Sequence, residues 1–246
     1  MADAPAKGDP WSLPRSFTAA RIGLTRTGDA LGVGPMLDFQ MAHAQARDAV
    51  HAVLDPAAIA AGLPMESVKV RSRAGDRSAY LRRPDLGRLL DPESVAALPR
   101  GPFDIVFVVA DGLSARAVHA HAAAVLCPAV AALPDMSIAP AVIATQARVA
   151  LADDIGERMG AALSVILLGE RPGLTTPDSL GIYVTYGPRG GRRDSERNCI
   201  SNIHARGGLA HEEAAAQLVR LVRAALGAGV SGVGLDYDGF GQPILT

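Results

Sequence analysis

The segment Asp104-Ile-Val-Phe-Val-Val-Ala110 limits the possible folds of this chain more than any other. It is short, apolar after its first residue and rich in β-branched side chains, as a strand buried on both faces must be. It stops at Asp111-Gly112-Leu113-Ser114, and an alanine-rich helical stretch runs from Ala115 to about Val125. The same rhythm recurs. Ala139–Thr145 is a second strand, before a helix near Asp153–Gly160 whose first turn is acidic. Ser164–Leu168 is a third, ending in Gly169-Glu-Arg-Pro-Gly173, and Ile182–Tyr186 is a fourth, ahead of an Arg/Gly loop. Ser67–Ser72 gives an earlier strand, and helix Ala210–Leu226 with strand Val230–Leu235 closes the core. This alternation predicts an α/β fold: a Rossmann-like, doubly wound, mostly parallel sheet with helices on both faces.

A length of 246 residues would accommodate a (β/α)8 barrel of roughly 250 residues. Some five or six strands cannot supply eight units, so a single-chain barrel is excluded. A small helical region precedes the sheet. The first ~15 residues are Pro- and Gly-rich and predict an extended arm. From Pro35 to Leu54 a stripe of Met36, Phe39, Met41, Ala42, Ala46, Ala49, Val50 and Val53 has helical spacing. Asp55-Pro56 starts a short helix through Ala61, and Asp91-Pro92-Glu93 repeats that start. The expected division is residues 1–66 as arm and helical region and 67–246 as the Rossmann-like domain.

Several function classes drop out. With 24 basic against 25 acidic residues and a net charge of −1, the footprint of a nucleic-acid binder is missing. Aromatics at 4% leave no stacking platform for single strands. The two cysteines, Cys127 and Cys199, form no C-x-x-C or Cys/His array, which excludes a disulfide framework or zinc ribbon. No apolar run reaches a membrane span of roughly 18 residues, and the first residues hold no signal-peptide core. An intracellular, cytoplasmic protein is expected. Of the 24 basic residues 22 are arginine; base composition explains this plainly, while arginine's planar fork also suits buried carboxylate or phosphate pairing.

In open α/β sheets ligands bind beyond the carboxyl ends of the strands. That rule selects Asp111–Ser114, Glu170–Gly173 and the stretch after Tyr186. Asp111 or Ser114 reads first as an N-cap of the following helix, with a ligand contact through its free N–H groups as the alternative. Glu170 and Arg171 stand at a strand end in a proline-stiffened turn, the strongest local signal. Glu196–Asn202 is a polar loop with one soft thiol, Cys199, which reads equally as packing or function. Asp153-Asp154-x-x-Glu157 reads as helix-start complementation rather than a catalytic cluster. Gly227-Ala-Gly-Val-Ser-Gly232 fits a dinucleotide string in the wrong context, after a helix and before a strand, and predicts a helix C-cap and turn. His119 and His121 face different sides of a helix and cannot chelate together; His43 and His51 lie two turns apart, and His204 and His211 read as ordinary loop and helix-start residues. No metal site and no catalytic residue is assigned.

Taken together these segments resemble the small (light) subunit of ethanolamine ammonia-lyase. The matching residues are Ser16–Arg21 with Thr25-Arg-Thr-Gly28, His43-Ala-Gln-Ala-Arg-Asp-Ala-Val-His51, Tyr80–Arg88, Asp111–Ser114, Arg148-Val149 with Asp154–Glu157, Gly169–Gly173, Ser179-Leu180 with Tyr183, and Arg197–Asn202, in order from about Pro10 to Gly234. The resemblance implies a carbon–nitrogen (ammonia) lyase. It converts ethanolamine to acetaldehyde and ammonia by a radical mechanism started by homolysis of the cobalt–carbon bond of adenosylcobalamin. It further implies a hetero-oligomer whose large subunit, a (β/α)8 barrel, binds the substrate, while this chain closes over the cobalamin at the interface. Cofactor contacts then fall on Val149, Glu170 and Cys199, and Cys127 is left as packing. The D-x-H-x-x-G pattern that supplies a cobalt-ligating histidine elsewhere is absent, so base-on binding is expected. Some family members carry a long N-terminal extension that directs them to a bacterial microcompartment; here only about 15 Pro- and Gly-rich residues precede the Arg15-Ser-Phe-Thr18 region, so the resemblance leaves a microcompartment location open without a targeting extension to support it. The tail Asp236–Thr246 receives no role. Two rivals stand beside this reading: a free-standing α/β hydrolase or transferase using Asp111, Ser114 and Glu170, and a non-catalytic assembly subunit, for which cobalamin affinity would be indifferent to Glu170.

Overall fold

The structure, a computed structural model, describes residues 9–236. Helix α1 (Ser12–Ser16) replaces the described end of the expected extended arm. Arg15 fixes it, pairing with Asp9 at 2.7 Å and donating to the carbonyls of Ile22 and Gly23. The Trp11 ring lies over Gly23 so closely that a Cβ there would collide with it, and Gly23 has φ +57°. A two-residue hairpin, β1 (Arg26–Thr27) with β2 (Ala30–Leu31), leads into α2 (Val33–His51). That helix forms as its spacing predicts, but much of its stripe is bare: Met36 is 40%, Phe39 42% and Met41 65% exposed, and only Ala42 and Ala49 are buried. Helix α3 (Pro56–Gly62) starts where Asp55 accepts from the amides of Ala57 and Ala58, and it packs Ile59 into the main core.

The remaining elements are β3 (Ser67–Arg71), α4 (Arg77–Arg82), β4 (Phe103–Ala110), α5 (Ala115–Ala131), β5 (Ala141–Thr145), α6 (Leu151–Met159), β6 (Ala161–Gly169), β7 (Leu180–Tyr186), β8 (Asn198–Ile203) and α7 (His211–Ala228). Six strands form one mixed sheet in the order β3-β5-β4-β6-β7-β8. The first four are parallel, while β7 and β8 join antiparallel. The fold is therefore α/β with a mostly parallel sheet and a helical N-terminal region.

Three expectations change. The sixth strand is β8, where a polar loop was expected, because β8 is an edge strand covered on one face. Ile200 and Ile203 enter the core while Cys199, Ser201 and Asn202 stay exposed. Asn202, at φ +62°, takes up the extra residue between the two isoleucines. Val230–Leu235, expected as a strand, is a single 3₁₀ turn over Gly232–Gly234. Gly232, at φ +73°, lies against the backbone of Ser195 and Glu196, and Ser231 donates to the Glu196 carbonyl at 2.6 Å. The third change concerns the stretch after Tyr186. No helix separates β6 from β7, so the pair is a hairpin rather than a crossover, and β7 ends at the amino edge of the parallel strands. There Gly187 donates to Ala162.

Two cores flank the sheet. Helices α3, α5 and α7 close one face over Phe107, Val109, Ile143, Val165, Ile182 and Ile200. On the other, α6 sets Ile155 and Met159 against Val106, Val108 and Ile166. Helix α6 packs on β4 and β6, whereas β7 and β8 are packed by α5 and α7 from the opposite side. The face of β7 and β8 that carries Tyr183 and Cys199 is thus left partly open.

Candidate functional site

The chain passes from β4 through α5 to β5 on one side, then through α6 to β6 on the other side of β4. The carboxyl ends of β4 and β6 are therefore the switch point where a doubly wound sheet opens its crevice. Here it is shut. The Leu113 amide donates to the Gly169 carbonyl at 2.8 Å, and a Cβ on Gly112 or on Gly169 would strike the other loop's backbone. Ser114 is the N-cap of α5, fully buried, with its hydroxyl donated to the Pro177 carbonyl at 2.9 Å. Asp111 is no cap. It is 3% exposed and accepts from the amides of Gln146 (2.8 Å) and Ala147 (3.0 Å), with Arg77 at 3.6 Å. Burial pushes its carboxyl up against the pull of those two amides. Two of the three groups of the hydrolase reading, Asp111 and Ser114, are thus consumed in bracing loops.

The open groove lies one step sideways. A cavity of about 560 Å³ is walled by Pro84, Asp85, Arg88, Arg148, Val149, Tyr183 and Cys199. A second of about 240 Å³ continues it, through the same Arg148, Val149 and Tyr183, to Leu168, Glu170 and Arg171. Val149, Glu170 and Cys199, taken from three separate stretches of sequence, thus line one continuous groove. A larger, shallower opening of about 800 Å³ sits at the amino edge by Phe103, Ala161 and Gly187. It contains none of those three residues.

Glu170 leaves the end of β6, accepts from the Ser179 hydroxyl at 2.5 Å, and donates its amide to the Ser179 carbonyl at 2.9 Å. Its side chain lies over Gly181, where a Cβ would stand 2.9 Å from Oε1. Cys199 pairs in register with Tyr183. Partial burial pushes its thiol up, against a hydrogen bond with Tyr183 and with help from the Glu170 charge. A thiol so placed stays protonated near neutrality and is a packing or weak polar group, not a nucleophile. Burial likewise raises the Tyr183 phenol, and Cys199 adds to the effect. Val149 presents an aliphatic surface just ahead of α6.

Behind Val149 the wall is rigid. Tyr80 is fully buried with two guanidinium groups on its ring, Arg148 at 4.3 Å and Arg77 at 4.7 Å from the centroid. Its hydroxyl donates to the Ala147 carbonyl at 3.0 Å, and burial pushes its pKa up to about 12. Gly87 leaves room for this stack, since a Cβ there would stand 2.9 Å from Arg148 Cγ and 3.1 Å from the Tyr80 ring. Across the groove, Arg197 donates to both oxygens of Asp153 at 2.7 and 2.6 Å, with each side chain only 2% exposed. The acidic residues of α6 therefore do more than complement its dipole: Asp154 accepts from the Leu90 amide and from Arg158, and Glu157 from the Gly190 amide.

The histidines are structural partners. His119 accepts from the Asp55 amide, and His121 meets His211 at 2.9 Å and the Asp178 carbonyl at 2.9 Å. Gly229, at φ +68°, is the C-cap of α7, as the glycine string predicts. Tyr183, Arg148, Tyr80 and Arg197 were not singled out as site residues from sequence. One signal existed: Leu180-Gly-Ile-Tyr-Val-Thr alternates aliphatic with small or polar residues, the pattern of a strand open on one face. Arg148 and Tyr80 carry no such local mark, because 68 positions separate them.

The family model described as ethanolamine ammonia-lyase light chain (EutC) matches residues 8–236. The ethanolamine ammonia-lyase small subunit of Pseudomonas putida KT2440 is 49% identical over 245 residues, covering 95% of this chain and 90% of that protein. That of Bradyrhizobium diazoefficiens is 49% identical over 233 residues, covering 91% and 89%. That of Ralstonia nicotianae is 50% identical over 232 residues, covering 88% and 84%.

Proposed function

This chain belongs to the ethanolamine ammonia-lyase light-chain family, and from that premise we propose that it serves as the small subunit of an adenosylcobalamin-dependent ethanolamine ammonia-lyase. In this reading it forms a hetero-oligomer with a large subunit that binds ethanolamine, and it closes over the cobalamin at their interface. The observation that carries the proposal is the groove on which Val149, Glu170 and Cys199 converge.

The residues present suit a corrin. Val149, Leu168 and the Tyr183 ring offer an apolar wall to the macrocycle's rim. Glu170, held by Ser179, offers acceptor oxygens to the corrin's amide side chains. Cys199, kept protonated, supplies a soft contact without competing for cobalt. When bound, adenosylcobalamin supplies the radical chemistry through homolysis of its cobalt–carbon bond. This chain's own part is to hold, orient and shield, and no catalytic residue is assigned to it. In this reading the cofactor binds base-on, with its own benzimidazole retained as the lower ligand.

The bare apolar surface of the N-terminal region supports a protein partner. Trp11, Leu13, Phe17, Val33, Leu37, Phe39 and Met41 are all exposed there, a concentration typical of an interaction surface. No helix among the described residues is long and apolar enough to cross a membrane. Co-production with the large subunit tests the proposal. The pair releases acetaldehyde from ethanolamine only with adenosylcobalamin, and this chain alone shows no turnover. Activity from the chain alone, or none from the pair, would overturn it.

A further inference from the structure

Arg148 is held at the junction of the two cavities by everything around it. The loop that carries it is pinned at three successive residues. Asp111 takes the amides of Gln146 and Ala147, the Tyr80 hydroxyl takes the Ala147 carbonyl, and the Gly87 carbonyl takes the Arg148 amide at 2.8 Å. Gln146 sits at φ +56°, a left-handed conformation that these contacts stabilise. The guanidinium stacks on Tyr80 and gives one Nη2 hydrogen bond to the Tyr80 carbonyl at 3.3 Å.

A fixed, half-buried guanidinium ordinarily faces a carboxylate, because an unpaired charge is costly to desolvate. Arg148 has none within ion-pair distance among the described residues, its Nε is buried without a partner, and Nη1 makes no hydrogen bond. Of the groove's three carboxylates, Asp85 pairs with Arg83 at 2.7 Å, Asp194 with Arg197 at 3.4 Å, and Glu170 accepts from the Ser179 hydroxyl at 2.5 Å. Beside Arg148 the amides of Val149 and Ala150 also find no acceptor among the described residues. A guanidinium with no carboxylate partner among the described residues therefore lines both cavities of the groove.

We infer that Arg148 seats an anionic oxygen of the cofactor, namely the phosphodiester of the cobalamin nucleotide loop. The inference rests on the cobalamin reading and goes beyond it. The corrin's amide side chains are neutral, and the phosphodiester is the group on the molecule whose charge matches a lone guanidinium. An arginine fork suits phosphate oxygens. Arg148 is then a binding residue that fixes where the nucleotide tail lies, with Val149 alongside at the corrin rim.

The test compares two corrinoids on the complex of this chain with its large subunit. Cobalamin carries the phosphodiester and cobinamide lacks it. Dissociation constants are measured by equilibrium dialysis with visible absorbance, for hydroxocobalamin and dicyanocobinamide. Arg148→Gln is expected to weaken hydroxocobalamin at least about tenfold, the scale of a lost charge-assisted hydrogen bond. Its cobinamide affinity should stay within about twofold, which also reports that the variant is folded. Arg148→Lys keeps the charge without the fork and should lose less. Equal weakening of both corrinoids, or no weakening of either, would overturn the inference while leaving the cobalamin reading intact. If the unaltered complex binds neither corrinoid, the cobalamin reading falls and this inference with it.

Discussion

Tyr80 illustrates how one side chain serves both stability and the site. Its phenol has a folded pKa of about 12 against an ordinary value of 10.0, so the native state favours the protonated form. The associated stabilisation is complete below pH 10 and is lost as the pH climbs from 10 towards 12. Raising the phenol from 10.0 to about 12 makes that loss about 3 kcal/mol when complete. Tyr80→Phe should remove this share of the alkaline decline. It should also cost about 1 kcal/mol at neutral pH, since the Ala147 carbonyl loses its donor. Urea unfolding of the two proteins between pH 8 and pH 11.5 measures both effects. Identical alkaline slopes would refute the assignment, and because Tyr183 is also raised by burial, the difference between the curves is the quantity to read.

At the scale of elements, the joint between α6 and β8 decides whether the groove keeps its shape. Arg197 and Asp153 meet with almost no exposure and tie the strand that carries Cys199 to the helix that follows Val149. Removing one partner leaves a buried charge, so Arg197→Met or Asp153→Leu alone should destabilise by about 3–5 kcal/mol. The double replacement should be markedly milder than the sum. Thermal unfolding of all four proteins tests this, and strict additivity would show that the pair is not coupled. The same joint shows what the sequence could and could not say. Strands β4, β5 and β6 are legible because burial on both faces makes them continuous apolar runs. Edge strand β8 is not, since its outward residues are polar and Asn202 interrupts its period. Val230–Leu235 has the composition of a strand, yet the positive-φ glycines Gly229, just before it, and Gly232, within it, dictate a turn. Glu170 could be picked out because it lies at a strand end beside its own turn. Its convergence with Val149 and Cys199 came from family resemblance, as the contacts that create the groove span the chain.

Considered as a whole, the molecule has a firm half and an unfinished one. The sheet is covered on one face by α5 and α7, and its crevice is sealed by the contact of Gly112 with Gly169. The groove beside it stays open, and so does the apolar surface of the N-terminal region. Trp11, the single tryptophan of the chain, stands at that surface, 47% exposed, with its ring laid on Gly23. The protein therefore carries one indole, placed away from the groove, as a spectroscopic label for the N-terminal surface. Produced with 5-fluorotryptophan, the chain should give one ¹⁹F resonance that moves when the large subunit is added and reaches its limit at the stoichiometric ratio. A resonance that stays in place through a titration that restores activity would show that the complex assembles without this end of the chain. If it moves, subunit association can be followed in the absence of cofactor, substrate and turnover.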